Sequence, residues 1–294
     1  MIIYSRLGNK GNFGNQLFQI ASTISIATKN GHAFAFPKWK YASCFKFDFN
    51  LYDPHRNYQT VKEQGYYYSD IVVKDGNYDL NGWFQSEKYF DIEVVKNCLK
   101  IQPEIIKKVK EKYNKVLSKK NILISVRRGD FVNHPYYYQL DYKYYFLGIT
   151  KNFKDWKERI LIFTSDDIAY CKKHFDFLPN AIFVENSTVI EQLALGSLCD
   201  DFVISNSTFS WWLAWLGEKE EKRVVRPVQN FRGKFRIQND DKDYYPERWE
   251  VFNAEKEKIK LKYWSLICKG ELGKTQDSIK YFQKVSVKKT KKNN

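Results

Sequence analysis

The sequence predicts an α/β protein built on parallel sheets, and three observations carry that prediction. Short runs at 122–126, 160–164 and 202–204 are apolar almost throughout, as strands covered on both faces are. Between such runs lie stretches whose apolar residues recur three and four apart, the period of a helix. The runs end in small, polar or charged residues, where α/β proteins gather their ligands.

Taken in order, residues 2–7 (IIYSRL) read as a first strand and 8–15 (GNKGNFGN) as a glycine- and asparagine-rich loop. A helix follows, with Leu17, Ile20, Ala21, Ile24 and Ala27 on one face and Gly31 as its stop signal. Residues 33–36 return as a strand ended by Pro37. The loop can bring backbone N–H groups close to an anion at a helix N-terminus. Its spacing is neither GxGxxG nor a GK[ST] phosphate loop.

Residues 38–91 are rich in aromatics, with Tyr66, Tyr67, Tyr68, Trp83 and Phe84, but show little period. Such rings suit sugar faces, yet they are more often core than binding platform. Residues 103–117 form an amphipathic basic helix, and the change between domains is expected at 97–120. Further strands are expected at 160–164, 181–184, 202–204 and 224–225, with a helix at 189–199. The stretch 205–217 (SNSTFSWWLAWLG) places four small polar residues between a strand and an aromatic helix, a second anion cradle.

Composition narrows the function. The chain has 294 residues, 43% of them hydrophobic and 17% aromatic, enough for two compact domains. No signal-peptide pattern opens it and no eighteen-residue apolar run crosses it. Five scattered cysteines without CxxC spacing argue against a disulfide framework and fit a cytoplasmic setting. Four histidines, none at ligand spacing, give no zinc site. The net charge of +15 is concentrated late: residues 254–294 hold twelve lysines against four acidic residues. A tail ending in Lys288, Lys289, Lys291 and Lys292 suits peripheral contact with the anionic inner membrane face, or a solvated terminus.

The most informative stretch is ILISVRRGD, residues 122–130. Arg127 and Arg128 fall at a strand end, where one guanidinium can hold two phosphate oxygens in a planar fork. Asp130 is close enough to hold an arginine or a ligand hydroxyl. An ordinary ion pair would use the same residues.

Three stretches, GNFGNQLFQ (11–19), SVRRGD (125–130) and SNSTFSWW (205–212), occur here in one order and together resemble the bacterial and animal α-1,2-fucosyltransferases, glycosyltransferase family 11. TSDD at 164–167 is a supporting match. The resemblance spans roughly residues 1–228. It implies a GT-B-like fold of two Rossmann-like domains facing across a cleft: residues 1–110 on the acceptor side, 111–250 binding the nucleotide, and 251–294 a basic helix or tail.

The resemblance further implies GDP-L-fucose as donor and a terminal β-galactoside such as lactose or N-acetyllactosamine as acceptor. Transfer to the galactose 2-hydroxyl inverts the anomeric centre and uses neither cofactor nor metal, in keeping with the lack of a DxD motif at a strand end. Arg127 matches the arginine gripping the diphosphate, with Arg128 and Asp130 orienting that grip. Asn15, beside Gly14, matches the loop asparagine near the reacting bond. Ser207, Thr208 and Phe209 match the segment capping the phosphates, and Asp166 is assigned a nucleotide contact. Catalysis is assigned to Arg127, Asp130 and Asn15. The family pattern opens HxRRGD, whereas Ser125 stands here at the histidine position, so a mechanism needing that histidine as base does not transfer. Asp130 beside two arginines would be a poor base. Alternatives are a related fucosyltransferase with another acceptor, or a basic nucleic-acid-binding protein without catalysis, although no nucleic-acid motif is present.

Overall fold

The structure, a computed structural model, describes residues 1–290 apart from the side chains at 266, 267, 269, 274, 277, 281 and 284–290. The lysines expected to meet membrane therefore lie outside it: Lys291 and Lys292 entirely, Lys288 and Lys289 by their side chains.

The first sheet has β1 (Ile2–Ile3) paired in parallel with β2 (Phe34–Ala35) and β4 (Tyr78–Asn81), and β3 (Gln59–Lys62) beyond β4. The first strand is shorter than expected because Leu7 N–H donates to Tyr4 O, turning the chain out of the sheet. α1 (Phe13–Lys29) is sunk in the core, with Leu17, Phe18, Ile20, Ala21 and Ile24 fully covered. α2 (Ile92–Cys98) and α3 (Pro103–Lys112) follow. The helix expected over 103–117 breaks at Tyr113, and α4 (Asn114–Leu117) resumes beyond it.

The second sheet is built from β5 (Asn121–Val126), β6 (Ile160–Ser165), β7 (Ala181–Phe183), β8 (Asp201–Ile204), β9 (Val224–Pro227) and β10 (Glu250–Phe252). All pairs are parallel, in the order β10-β9-β8-β5-β6-β7. Renumbered from β5, this is the 3-2-1-4-5-6 order of a Rossmann sheet. β5 is central and every one of its residues is buried, which explains its unbroken apolar run.

α5 (Tyr142–Asn152), α6 (Ile168–Phe175), α7 (Val189–Leu198) and α8 (Thr208–Gly217) connect the strands. α9 (Gly233–Gln238) and α10 (Trp264–Thr290) complete the chain. No helix among the described residues is long and apolar enough to cross a membrane.

One apolar core runs through both halves, because α1 packs on α8. Phe18 lies 4.6 Å from Trp211 and 5.0 Å from Trp212, ring centre to ring centre. The tryptophans of the aromatic helix are therefore the joint between the two sheets.

Candidate active site

The C-terminal ends of both sheets border a single cleft of about 810 Å³. It opens where strand order reverses, between β1 and β4 in one sheet and between β5 and β8 in the other. At such a reversal neighbouring connections leave in opposite directions and a crevice results.

At the end of β5 the two arginines part. Arg127 lines the cleft, with Nη2 3.3 Å from Asp130 Oδ1 and Nε 3.2 Å from Asp166 Oδ2. Arg128 does not line it: the residue is 6% exposed, its guanidinium lies 3.6 Å over the Tyr170 ring, and Nε is 3.3 Å from Asp167 Oδ2. It anchors the turn on α6 rather than joining the grip. Asp166 also accepts from Arg128 N–H at 2.9 Å, and a side chain on Gly129 would run into its carboxylate. Arg-Arg-Gly-Asp is thus a turn folded around Asp166, with one guanidinium facing the cleft and one facing the core.

The loop before α1 is tied down by its own helix. Gln16 Nε2 donates to Gly11 O at 3.0 Å and Gln19 Nε2 to Lys10 O at 2.9 Å, while Trp39 Nε1 donates to Gln16 Oε1 at 2.8 Å. Gly11 has φ +75°, and a Cβ there would meet the Asn15 side chain, which accounts for a glycine at this turn. Asn12 makes no side-chain cap, so the α1 N-terminus faces the cleft with first-turn N–H groups that have no helical carbonyl to reach. Gly14 abuts the first turn of α8: a Cβ would lie 2.5 Å from Phe209 N and 2.6 Å from Thr208 C. Two helix N-termini therefore meet at the cleft that Arg127 also lines.

Ser207 caps α8 through Phe209 N–H at 3.3 Å. Behind it the hydroxyls of Ser125 and Ser205 each lie 2.7 Å from that of Ser210, all three buried. Ser125 thus fastens β5 to α8 and is occupied in that network.

Gly14, Asn15, Arg127, Asp130, Asp166, Ser207, Thr208 and Phe209 all border the cleft; of the residues assigned to the site from sequence, Arg128 alone stands behind it. In the loop after β4, sequence reasoning singled out Trp83 and Phe84 only as aromatics and missed Gln85 and the part played by Glu63. Gln85 Nε2 donates to Asn15 Oδ1 at 2.7 Å, and Trp83 forms a wall with Lys10 Nζ 4.6 Å over its ring. Between them Phe84 is fully buried at φ +53°, a strained setting for a bulky residue. Glu63 holds it: Oε2 accepts from Trp83 N–H at 2.5 Å and Oε1 from Phe84 N–H at 2.8 Å. Burial pushes the Glu63 carboxyl up to about 7, against those two hydrogen bonds and the Lys10 charge. A lone glutamate ahead of an aromatic run carries no local signal of this task.

Among the described residues the carboxylates on the cleft are Asp130 and Asp166, both on Arg127. No group of three or more His, Cys, Asp or Glu is placed to hold a metal ion among those residues. The chemistry on offer is a cationic, N–H-rich wall for an anion, flanked by aromatic rings.

A family model described as Glycosyl transferase family 11 matches residues 8–251. The O-antigen biosynthesis glycosyltransferase WbnK of Escherichia coli is 30% identical over 177 residues, 55% of this chain and 58% of the relative. An alpha-1,2-colitosyltransferase of the same organism is 27% identical over 184 residues, 59% of this chain and 62% of the relative. The match thus spans about three-fifths of the length of these curated relatives. Among solved structures, an Arabidopsis thaliana FUT1 mutant in complex with GDP aligns with a TM-score of 0.52 at 13% identity, covering 87% of this chain and 77% of that one. At that identity the likeness bears on the fold, which is GT-B-like: two parallel-sheet halves across a cleft.

Proposed function

The chain belongs to glycosyl transferase family 11, and from that premise we propose that it is an inverting α-1,2-fucosyltransferase, moving L-fucose from GDP-β-L-fucose to the 2-hydroxyl of a terminal β-galactose. The observation that carries this reading is the position of Arg127: at the reversal point of a Rossmann sheet, steadied by Asp130 and Asp166, on the cleft where the N-termini of α1 and α8 meet.

Breaking the bond from fucose to GDP builds negative charge on the β-phosphate. The Arg127 fork and the helix N–H groups meet that charge already oriented, which lowers the barrier without reorganisation during the step. The acceptor oxygen attacks the opposite face of the anomeric carbon, giving an α-linked product. Asn15, steadied by Gln85, is assigned to the reacting bond. The acceptor proton needs a base. Asp130 and Asp166 are engaged with Arg127, so we assign the proton to an unassigned carboxylate of the first domain or, once the sugar–phosphate bond has broken, to the departing phosphate. No metal step is invoked, and we place the protein in the cytoplasm with its basic tail toward anionic lipid.

Release of GDP from GDP-fucose, measured in EDTA with and without lactose and with GDP-mannose as control, tests the reading. Strong stimulation by lactose with GDP-fucose alone is expected; equal release from both donors, or release insensitive to lactose, contradicts it. The 27% identity to an alpha-1,2-colitosyltransferase supports a second reading, transfer of colitose, which is fucose without its 3-hydroxyl. Faster turnover of GDP-colitose than of GDP-fucose would select it.

A further inference from the structure

We propose that the aromatic end of the cleft is the acceptor subsite, where a pyranose stacks its C–H face on the outer face of Tyr136, whose other face is backed by Phe235. The proposal rests on the transferase reading and adds the place and chemistry of acceptor recognition, which it puts on rings of the 111–250 half together with Tyr66, rather than on residues 1–110 alone as the resemblance implied.

The cleft has two chemically different ends. One lies over the end of β6 and the start of α7, where Thr164, Ser165, Asp166 and Gln192 make it polar. The other is built from rings brought by three separate segments: Tyr66 from the stretch between β3 and β4, Tyr136 and Tyr137 from the loop after β5, and Phe231 and Phe235 at α9. Tyr136 and Phe235 are stacked 4.4 Å apart at 18°, and Tyr66 stands edge-on to Phe231 at 4.9 Å. Core packing accounts for Phe231, which is 3% exposed, but not for Tyr136, which is 48% exposed, or for Phe235, which is only partly covered.

This end is held in shape by its backbone. Tyr138 N–H donates to Asn230 O and Arg232 N–H to Tyr136 O, both at 2.8 Å, joining the two loops. Asn206 Nδ2, just before α8, donates to Tyr138 O at 3.1 Å and to Asn230 O at 2.9 Å. Gln139 fixes the turn from inside, donating to Phe131 O at 2.9 Å and Tyr137 O at 2.8 Å and accepting from Asn133 N–H at 2.8 Å. Phe131, next to Asp130, stacks on Tyr137 at 4.3 Å, so the rings run directly into the Arg127 turn. A sugar seated on them reaches the place where the donor bond breaks.

The ligand class follows from the surface. A β-galactoside has its axial 4-hydroxyl on one side, leaving C–H bonds on the other, and these polarised hydrogens suit the negative face of an aromatic ring. The rings discriminate by shape and leave the hydroxyl edge for polar contacts.

The test uses Tyr136→Ala and Phe235→Ala, with Tyr136→Phe keeping the ring. With methyl β-galactoside as acceptor, KM should rise at least about fivefold in each alanine variant, while GDP binding by calorimetry stays within about twofold and Tyr136→Phe behaves as wild type. An unchanged acceptor KM overturns the proposal. So does weakened GDP binding with acceptor KM unchanged, which would put guanine on these rings. Failure of the fucosyl reading shows separately, as no transfer by the wild type. The subsite is then read by saturation-transfer NMR of methyl β-galactoside on the GDP-loaded protein: a signal lost in Tyr136→Ala supports it, and equal signals in both proteins overturn it.

Discussion

Gln85 and Asn15 are joined by a 2.7 Å hydrogen bond that ties the loop after β4 to the first turn of α1 across the reversal point of the first sheet. Each residue borders the cleft, so the bond sets the face that Asn15 presents to a ligand. Because the bond is partly buried rather than in the core, its net contribution to stability is about 1 kcal/mol.

Asn15→Ala and Gln85→Ala should therefore both slow fucosyl transfer, Gln85→Ala by roughly tenfold, with little change in unfolding temperature. The double variant should be no slower than Asn15→Ala. Additive losses in the double-mutant cycle would mean the two side chains act independently.

Arg127→Lys keeps the charge and loses the fork, and should lower kcat by on the order of a hundredfold or more with the fold intact. Near wild-type turnover of a folded Arg127→Lys protein would remove Arg127 from the mechanism.

Gly14→Ala adds a methyl group against the backbone of Thr208 and Phe209, which cannot swing aside as a side-chain end can. Separating α1 from α8 should cost about 1–3 kcal/mol and weaken GDP binding. Calorimetry and thermal unfolding on the same preparation check both, and a variant as stable as wild type with unchanged GDP affinity would contradict the close approach.

Glu63 gives a pH signature. Its carboxyl is raised from 4.5 to about 7, so the folded state holds the proton more tightly than the unfolded chain. The group therefore makes no difference below about 4.5, destabilises progressively as pH rises to about 7, and is level above that. Lys10, Tyr4, Tyr66 and Tyr89 are the titratable neighbours coupled to it, and none of them normally titrates in that window. Unfolding temperature should fall across pH 5–7 by roughly 2–4 °C more in wild type than in Glu63→Gln. Parallel profiles would show that Glu63 is ionised throughout.

The sequence made some of this legible for physical reasons. β5 could be read because a central parallel strand is buried on both faces and spells an apolar run, and the turn after it because two arginines at a strand end are conspicuous. β3 could not: QTVK is an edge strand with three of its four residues exposed, and its partner β4, YDLN, is half polar. Ile2–Ile3 is too short to announce where it stops. In the site, Arg127 and Arg128 are neighbours in sequence and face opposite sides, a difference set by Asp166 and Tyr170 from elsewhere in the chain. Gln85 and Glu63 act through contacts distant in sequence, and isolated residues of those types have no period to reveal them.

The most direct measurement is the linkage of the sugar product. Wild-type protein incubated with GDP-fucose and lactose should give one fucosylated product whose heteronuclear NMR correlation joins fucose H1 to galactose C2, with the α configuration at fucose. Fucose joined to another acceptor carbon, a β-linked product, or GDP released with only free fucose formed would contradict the account.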